Sequence, residues 1–377
     1  MKKQFFLDVR GLSLEEKVRS FLKDLLEKKI IRTLLAPRQV PSGDGVTPAL
    51  IVSEDNLDKV DIFAPAVPLS MAKVVSFLTK NGPANMPVGV VLRSCEARAL
   101  FELVKLKQAC LDNLLLIGLD CLGTYSIRHY KKISLEGASA WEVLFGKFKR
   151  EEEDENLRTS CKICEYPVCF NTDLNFGIIG VDREEGILIE ALSQKGEKVL
   201  ESFSLSELKE EEKEKREKVV SEYIKERCKK REQFFLSLQE KIKGWENLSS
   251  FFSTCINCHN CMRACPICYC RECFFESPTF EFDFTKHLLL AEKRGSVKMP
   301  RDVLLFHLGR MSHISCSCVG CGLCEQACPS DIPLSGVFKM VSQNAQKIFD
   351  YLPGRSLEEP LPLTTFREDE LQQVGED

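Results

Sequence analysis

The sequence of 377 residues has no long apolar run and no strong excess of charge of either sign. No stretch approaches the roughly 20 apolar residues of a transmembrane helix, and no sustained apolar segment follows the two lysines near the start. We therefore expect a cytoplasmic protein with neither a transmembrane segment nor a signal peptide. The net charge of −4 argues against a nucleic-acid partner.

Several signatures of catalysis are also missing. No Gly-x-Gly-x-x-Gly loop follows a strand, so the Rossmann dinucleotide fingerprint is absent. No P-loop, Ser-His-Asp triad or pair of carboxylates stands out either. What the sequence has in abundance is cysteine, with 19 residues, most of them grouped at short gaps of mainly two and three positions. In a long chain without a secretory signal, such spacing favours metal centres over disulfides.

Residues 1–200 have the pattern of an α/β domain. A capping box at Ser13–Glu16 precedes a helical period, and an aliphatic run at 88–92, a helix from about Glu96 and a second run at 114–121 predict a strand–helix–strand unit with parallel strands. Cys95 and Cys121 each follow one of these strands. Both should therefore lie at the carboxyl edge of the sheet, where open α/β folds bind ligands.

The rest of the chain is predicted to be mostly helical. Residues 201–246 form a charged helical linker, whose Glu/Lys pairs at helical spacing indicate a solvated surface or, alternatively, a surface for a partner. Residues 247–350 contain the densest cysteines and form a second domain. Residues 351–377 are rich in proline and acids and predict an extended tail.

One short motif, Cys-x2-Cys-x2-Cys-x3-Cys-Pro, occurs twice in the second domain. This is the bacterial ferredoxin spacing, in which the fourth cysteine binds the other cluster of a two-cluster protein. One 4Fe–4S cluster should then be held by Cys255, Cys258, Cys261 and Cys328. The other should be held by Cys318, Cys321, Cys324 and Cys265. The long helical gap between the copies resembles the α-helical ferredoxin domain of heterodisulfide reductase small subunits and succinate dehydrogenase iron–sulfur subunits.

Other residues near the motifs are open to two interpretations. Zinc is the alternative metal, although its sites use pairs of Cys or Cys with His. His259 is either a donor to a ligand or a surface residue. Three arginines either offset cluster charge or lie on the surface: Arg263, Arg271 and Arg310. Four further cysteines are buried structural thiols by default, or part of another metal site: Cys268, Cys270, Cys273 and Cys316.

A third cluster is predicted in the first domain. The block around Cys161 and Cys164 offers one pair of ligands, and the sheet edge offers Cys95 and Cys121. These four cysteines together could hold a 4Fe–4S cluster, and Cys169 could replace one of them.

The three cysteine-bearing blocks of the first domain resemble one known family, the coenzyme F420 hydrogenase/dehydrogenase β-subunits, which includes relatives of formate dehydrogenase β-subunits. The blocks are VGVVLRSCEARALFELVKL, LLLIGLDCLGTYS and SCKICEYPVCFNTDLNFGIIG. The resemblance implies an FAD and a 4Fe–4S cluster in this domain. Relatives often have Pro before the first cysteine, where this chain has Ser94. The loops 41–45 and 64–68 either contact the flavin or are ordinary turns.

Together these features predict an oxidoreductase: an iron–sulfur flavoprotein that transfers electrons within an anaerobic complex. Its fold class would be an α/β flavin and iron–sulfur domain followed by a helical two-cluster domain. The resemblance implies a hydride carrier, either a deazaflavin or NAD(P)H, and a partner that is a molybdopterin or tungstopterin formate dehydrogenase catalytic subunit, a NiFe hydrogenase or a heterodisulfide-reductase-like subunit. The alternatives are an electron-wire adaptor without flavin and a zinc-stabilised interaction protein.

Overall fold

The fold was analysed in a computed structural model, which describes residues 3–8, 11, 13–181 and 186–365. Eight strands and fourteen α-helices lie within these residues. The strands are β1 (Lys3–Asp8), β2 (Thr33–Gln39), β3 (Val46–Ile51), β4 (Val88–Arg93), β5 (Leu114–Leu119), β6 (Leu174–Gly177), β7 (Gly186–Ala191) and β8 (Ser206–Glu207). The helices of the first half are α1 (Leu14–Glu27), α2 (Met71–Leu78), α3 (Ser94–Lys105), α4 (Ile127–Leu135), α5 (Ala140–Lys149), α6 (Thr159–Lys162) and α7 (Gln194–Leu200). Those that follow are α8 (Glu210–Ile242), α9 (Trp245–Phe251), α10 (Asn260–Ala264), α11 (Phe284–Arg294), α12 (Val303–Ile314), α13 (Leu323–Gln326) and α14 (Leu334–Ile348).

All eight strands form one mixed sheet in the order β3-β2-β4-β5-β6-β7-β1-β8. The neighbours β2, β4, β5 and β6 are parallel, while the remaining pairs are antiparallel. The predicted strand–helix–strand unit is therefore confirmed as β4-α3-β5. The capping box at the start of α1 is also present, with Ser13 and Glu16 bonded to each other's backbone amides.

Each face of the sheet is covered by helices, which explains why its central strands are almost continuously apolar. One face packs on α1, α4, α5, α7 and the first half of α8. The other face packs on α2 and α3, and the core there continues without a break into the helices after residue 250. The helical half of the chain is thus attached to the sheet through apolar contacts of α2 and α3. This is the α/β region followed by a helical region that the sequence predicts.

The charged segment between the two halves forms α8, a helix of 33 residues that is about 50 Å long. Most of its surface is solvated, as predicted, but Arg216, Arg227 and Arg231 are buried. Arg216 reaches two carboxylates on the sheet, with Nη1 2.8 Å from Asp120 and Nη2 3.0 Å from Glu190. The helix is therefore packed along both halves, and the domain boundaries at 200 and 246 stay a prediction.

None of the helices among the described residues combines the length and the apolar character needed to cross a bilayer. In the described residues after 246 the chain has helices and loops but no strands.

The first residues of the predicted tail lie against α3, whereas residues 366–377 lie outside the described part of the chain. The side chain of Glu102 accepts hydrogen bonds from the Tyr351 hydroxyl at 2.6 Å and from the Gly354 amide at 2.9 Å. Arg98 donates to the carbonyl of Pro353 at 2.9 Å. These contacts hold the segment in place as it leaves α14.

We expect Gly354→Ala to loosen this segment. Gly354 has a φ of +79°, and an added Cβ would lie 2.5 Å from the Cα of Arg98, where the backbone cannot yield. Gly295 has the same φ of +79° but no atom near the added Cβ. Both variants should lose about 1–2 kcal/mol of stability to left-handed strain. Only Gly354→Ala should lose about 1–3 kcal/mol more through overpacking. Thermal unfolding of the two holoproteins measures this difference, and equal shifts would contradict the packing argument.

Candidate metal centres

Two predicted ligands of the third cluster, Cys95 and Cys121, lie at the same end of neighbouring strands in the sheet. Arg93 and Leu119, the last residues of β4 and β5, are paired in register. Cys95 and Cys121 each follow two residues later, so they lie side by side at the carboxyl edge. Cys95 is the second residue of α3, where the N-terminal end of the helix favours negative charge.

Two backbone contacts bring the Cys161–Cys164 loop to the same edge. The amide of Arg158 donates to the carbonyl of Thr124 at 3.0 Å, and the amide of Cys121 donates to the carbonyl of Pro167 at 2.7 Å. The structure thus brings four predicted ligands together, and we call them the sheet-edge group. This group is Cys95, Cys121, Cys161 and Cys164.

The thiols of the sheet-edge group influence one another's pKa. Burial is the main reason that the pKa of Cys121 rises to about 11, with Arg93 opposing the rise and Cys161 and Cys164 adding to it. Burial also acts to raise the pKa of Cys161, but Arg158, Thr124 and Arg227 outweigh it and hold the pKa at about 7. The group therefore combines closely spaced thiols with nearby positive charge, and at Cys161 this charge outweighs burial and favours the thiolate.

The position of Cys169 differs from that of the four cysteines in the sheet-edge group. It is 1% exposed, and its thiol faces the carbonyls of Leu92 and Leu119, both at 3.8 Å. It fills the space over Gly118, where any Cβ would meet the Cys169 sulfur at 2.8 Å. These contacts favour a structural role between β4 and β5 over replacement of a ligand.

The two ferredoxin-type motifs share one backbone conformation. In each copy, the residues two and four positions after the first cysteine have positive φ. They are Asn257 (55°) and His259 (58°) in the first copy, and Gly320 (68°) and Gly322 (72°) in the second. Left-handed backbone is rare outside Gly and Asn. Its recurrence at equivalent positions shows that the sequence repeat is also a structural repeat.

The first copy gathers its cysteines with one cysteine from the second copy. A small cavity is lined by all four predicted ligands of the first cluster, together with His307 and Phe306. Burial raises the pKa of Cys261 to about 11, with Arg310 opposing and the other three cysteines adding to the rise. We call these four residues the outer group, because Cys258 is exposed. This group is Cys255, Cys258, Cys261 and Cys328.

The second copy likewise receives one cysteine from the first. Burial raises the pKa of Cys324 well above its ordinary value, with Arg310 opposing and Cys265, Cys321 and Cys318 contributing as neighbours. Burial and then Cys265 also raise the pKa of Cys318. We call this set the middle group. It is Cys265, Cys318, Cys321 and Cys324.

The middle group is the neighbour of both other groups. Toward the sheet edge, Cys321 is close enough to Cys95 to raise its pKa, after the larger effects of burial and Glu96. The Ser160 hydroxyl donates to the carbonyl of Cys321 at 3.5 Å. Gly322 lies so close that an added Cβ would be 2.0 Å from the Ser160 oxygen. Toward the outer group, Arg310 lies 3.1 Å from the sulfur of Cys261 and its charge acts on Cys265 and Cys324. The three groups therefore form a row: sheet-edge, middle, outer.

Three residues that lie beside the predicted cysteine ligands were not singled out by the sequence patterns. Arg158 places Nη2 3.7 Å from the sulfur of Cys161, and Arg227 donates to the carbonyl of Cys161. His307 places Nε2 3.4 Å from the sulfur of Cys255, and burial lowers its pKa to about 3. Only Arg158 carries a sequence signal, its position three residues before Cys161. His259, in contrast, stacks on Phe306 at 4.3 Å.

The remaining cysteines of the C-terminal half are scattered. Cys268 is hydrogen-bonded to Cys265, and this bond is the largest influence on both pKa values, lowering that of Cys265 to about 6 and raising that of Cys268. Cys273 lies 3.6 Å from the Met262 sulfur, and Cys270 is exposed while Cys316 is buried. Among the described residues, including the three groups, no three His, Cys, Asp or Glu side chains are arranged to hold a single metal ion. A 4Fe–4S cluster differs from such a site, because each of its four thiolates binds a separate iron.

A large cleft of about 1020 Å³ opens beside the sheet-edge group. Its wall includes the aromatic rings of Phe145, Phe148 and Tyr223 and the basic side chains of Lys162 and Lys215. Arg227 also lines the cleft, and it donates to the carbonyls of both Cys161 and Leu122, the latter at 2.8 Å. The same side chain thus links the cleft to the sheet-edge group.

Comparisons with known proteins give a consistent result. Residues 85–217 match the family model for the C terminus of the beta subunit of coenzyme F420 hydrogenase/dehydrogenase. The chain is 30% identical to the F420-dependent formate dehydrogenase subunit beta of Methanocaldococcus jannaschii, over 89% of this chain and 91% of that protein. It is 26% identical to the F420-dependent formate dehydrogenase 1 subunit beta of Methanococcus maripaludis, over 91% of each.

The solved structure of the F420-reducing [NiFe] hydrogenase complex from Methanosarcina barkeri, a xenon derivative, matches 62% of this chain and 91% of the compared chain, with a TM-score of 0.44 at 13% identity. That similarity is too low to carry an argument. The identity to the M. jannaschii protein extends over nearly the whole length of both chains, and the family model covers every cysteine of the sheet-edge group. The chain therefore belongs to the coenzyme F420 hydrogenase/dehydrogenase β-subunit family and is an oxidoreductase subunit.

Proposed function

We propose that this chain is an iron–sulfur flavoprotein that conducts electrons through three 4Fe–4S clusters within an anaerobic oxidoreductase complex. One end of this chain of clusters would exchange electrons with a hydride carrier, and the other end would exchange them with a partner subunit that contains a catalytic site. The relatives named F420-dependent formate dehydrogenase subunits favour F420 as the carrier and a formate dehydrogenase catalytic subunit as the partner. A hydrogenase or heterodisulfide-reductase-like partner, or NAD(P)H as the carrier, is the alternative within the same class.

The observation that carries the proposal is the row of three four-cysteine groups. Each group supplies the four thiolates that one 4Fe–4S cluster takes. The middle group lies next to both others, as the electrostatic effect of Cys321 on Cys95 and the position of Arg310 between Cys261 and Cys324 indicate. Adjacent redox centres of this kind are suited to passing single electrons along the row.

The cleft beside the sheet-edge group is the proposed site for FAD. Its volume of about 1020 Å³ is at the upper end of the roughly 300–1,000 Å³ range of small-molecule sites. Aromatic rings there suit the flat ring system of a flavin. Lys162 and Lys215 are candidate partners for its phosphates, on a wall that also carries acidic side chains such as Glu151 and Glu222. When bound, FAD would supply the exchange between two-electron hydride chemistry and one-electron transfer. Arg227 would hold the Cys161 loop against the wall of the cleft.

The opposite end of the row reaches the surface. Cys258 is exposed, and Ile256, between the first two cysteines of the motif, is 58% exposed. The exposure of a predicted ligand at this end supports this face as the exit toward the partner subunit.

Composition analysis of the anaerobically prepared protein tests the proposal. We expect about twelve irons, about twelve inorganic sulfides and about one FAD per chain, since each 4Fe–4S cluster contains about four irons and four inorganic sulfides. Iron and sulfide without flavin would favour an electron-wire adaptor, and zinc without sulfide would overturn both redox functions.

Cys164→Ala should lose about four irons, because it removes one ligand from the sheet-edge group. Cys110→Ala is the matched control, because Cys110 is similarly half-buried but lies outside all three groups. Iron content that is equal in the two variants would reject the sheet-edge site.

A further inference from the structure

A guanidinium lies at each of the two junctions in the row of cysteine groups, and it belongs to the buried Arg310 at one junction and to the half-buried Arg158 at the other. Arg310, on α12, is 2% exposed and lies between the outer and middle groups. Its Nη1 is 3.1 Å from the sulfur of Cys261, and its Nη2 is 3.1 Å from the carbonyl of the same residue. Its charge also acts on Cys265 and Cys324 of the middle group. One cation thus faces ligands of both predicted C-terminal clusters.

Arg158 holds the corresponding position between the sheet-edge and middle groups. Its Nε donates to the Thr124 hydroxyl at 2.8 Å, and its Nη2 faces the Cys161 sulfur. The negative groups that raise its pKa are Cys161 and Cys95 on one side and Cys321 on the other, against the larger opposing effect of burial. Its Nη1 is buried and has no hydrogen-bond partner among the described residues.

The partners of these two arginines differ from those of Arg216 and Arg231 on α8. Arg216 is paired with carboxylates on the sheet, and Arg231 is paired with Glu165 at 3.0 Å. For Arg158 and Arg310, in contrast, each group that raises the pKa is a cysteine. A buried cation needs a compensating negative charge, and a 4Fe–4S centre with four thiolates supplies one.

Packing fixes the Arg310 guanidinium in this place. Its central carbon lies 4.7 Å from the ring centre of Phe338 on α14, at a distance typical of a cation–π contact. The two other arginines near the motifs do not share this environment. Arg263 is 69% exposed and pairs with Glu276, and Arg271 is exposed. Of the three arginines noted in the sequence, Arg310 alone combines burial with a hydrogen bond to a cysteine sulfur.

We propose that Arg158 and Arg310 are positioning residues that set the reduction potentials of adjoining clusters in pairs. Each places one positive charge between two centres. The proposal rests on the proposed function, because it requires the three clusters. Reduction adds a negative charge to a cluster, so a nearby buried cation stabilises the reduced form and raises the potential. Each arginine would therefore raise the potentials of the two clusters beside it, and the middle cluster would be raised by both charges.

The test is a redox titration of the anaerobic holoprotein, monitored by electron paramagnetic resonance, with iron content measured in parallel. In Arg310→Gln, the middle and outer clusters should become about tenfold harder to reduce, which is about 59 mV for one electron, and the sheet-edge cluster should not change. In Arg158→Gln, the sheet-edge and middle clusters should shift and the outer cluster should not. Arg310→Lys keeps the charge and should stay near the wild-type potentials.

Arg263→Gln is the matched control, since it removes an arginine next to the same motif but at the surface, where solvent screens its charge. Full iron with unchanged potentials in both glutamine variants overturns the inference and leaves the proposed function intact. A shift of the same size in Arg263→Gln, or in Arg310→Lys, also overturns it. If Arg310→Gln does not retain its iron, the cluster potentials of Arg158→Gln alone test the inference. Wild-type protein without iron would defeat the proposed function itself.

Discussion

Cys328→Ala is expected to abolish the outer cluster, although Cys328 belongs to the second motif. The variant should lose about a third of its iron, because one of three four-iron centres is lost. The structural reason is that Cys328 lines the same cavity as Cys255, Cys258 and Cys261. Iron analysis and electron paramagnetic resonance of the anaerobic protein measure this. The signals of the middle and sheet-edge clusters should remain, while electron delivery to the partner should fail because its exit is removed.

Cys324→Ala is the matched comparison, since it lies four residues before Cys328 in the same motif. It should remove the middle cluster and leave the outer one. The reciprocal exchange is tested by Cys265→Ala, which should also remove the middle cluster. Because Cys268 is hydrogen-bonded to Cys265, the double variant with Cys268→Ala excludes a substitute ligand. Loss of the middle signal in Cys328→Ala would refute the crossed arrangement.

Arg216→Met is expected to destabilise the attachment of α8 to the sheet by about 3–5 kcal/mol, because removal of one partner leaves buried carboxylates without compensation. The side chains of Arg216, Asp120 and Glu190 are 4%, 0% and 6% exposed. Hydrogen exchange of the holoprotein measures the effect. Backbone amides of β6 and β7 should lose about two to nearly four orders of magnitude of protection, at about 1.4 kcal/mol for each factor of ten.

The control is Lys213→Met on the same helix. Lys213 pairs with Glu210 at 3.0 Å, but the Glu210 side chain is 77% exposed. Exposed pairs of this kind contribute about 0–1 kcal/mol. A comparable loss of protection in the two variants would mean that the buried ion pairs are not what fastens α8.

The parts of the site that depend on local patterns could be predicted from the sequence. The spacing of the two motifs determines which cysteines come near each other, because three ligands lie within a single loop. The edge position of Cys95 and Cys121 follows from the parallel strands alone, and the register of Arg93 with Leu119 agrees with it.

The parts that depend on distant contacts could not be predicted. The order of the three groups depends on the contact of Ser160 with Cys321 and Gly322. Ser160 is far from these two residues in the chain. In the same way, the composition of α8 predicts a solvated helix. Nothing in its local sequence shows that Arg216 pairs with two carboxylates from distant parts of the chain. A charged residue is recognised as buried only when its partner is known.

The exchange of cysteines between the two motifs has a consequence for biosynthesis. With Cys265 in the middle group and Cys328 in the outer group, neither C-terminal centre has its full ligand set when the first motif leaves the ribosome. Both become complete with the same short stretch, 318–328. In the proposed arrangement, iron loading of this half would therefore be a late and joint event that follows translation of both motifs, whereas the sheet-edge group would have all its ligands as soon as residue 164 has been made.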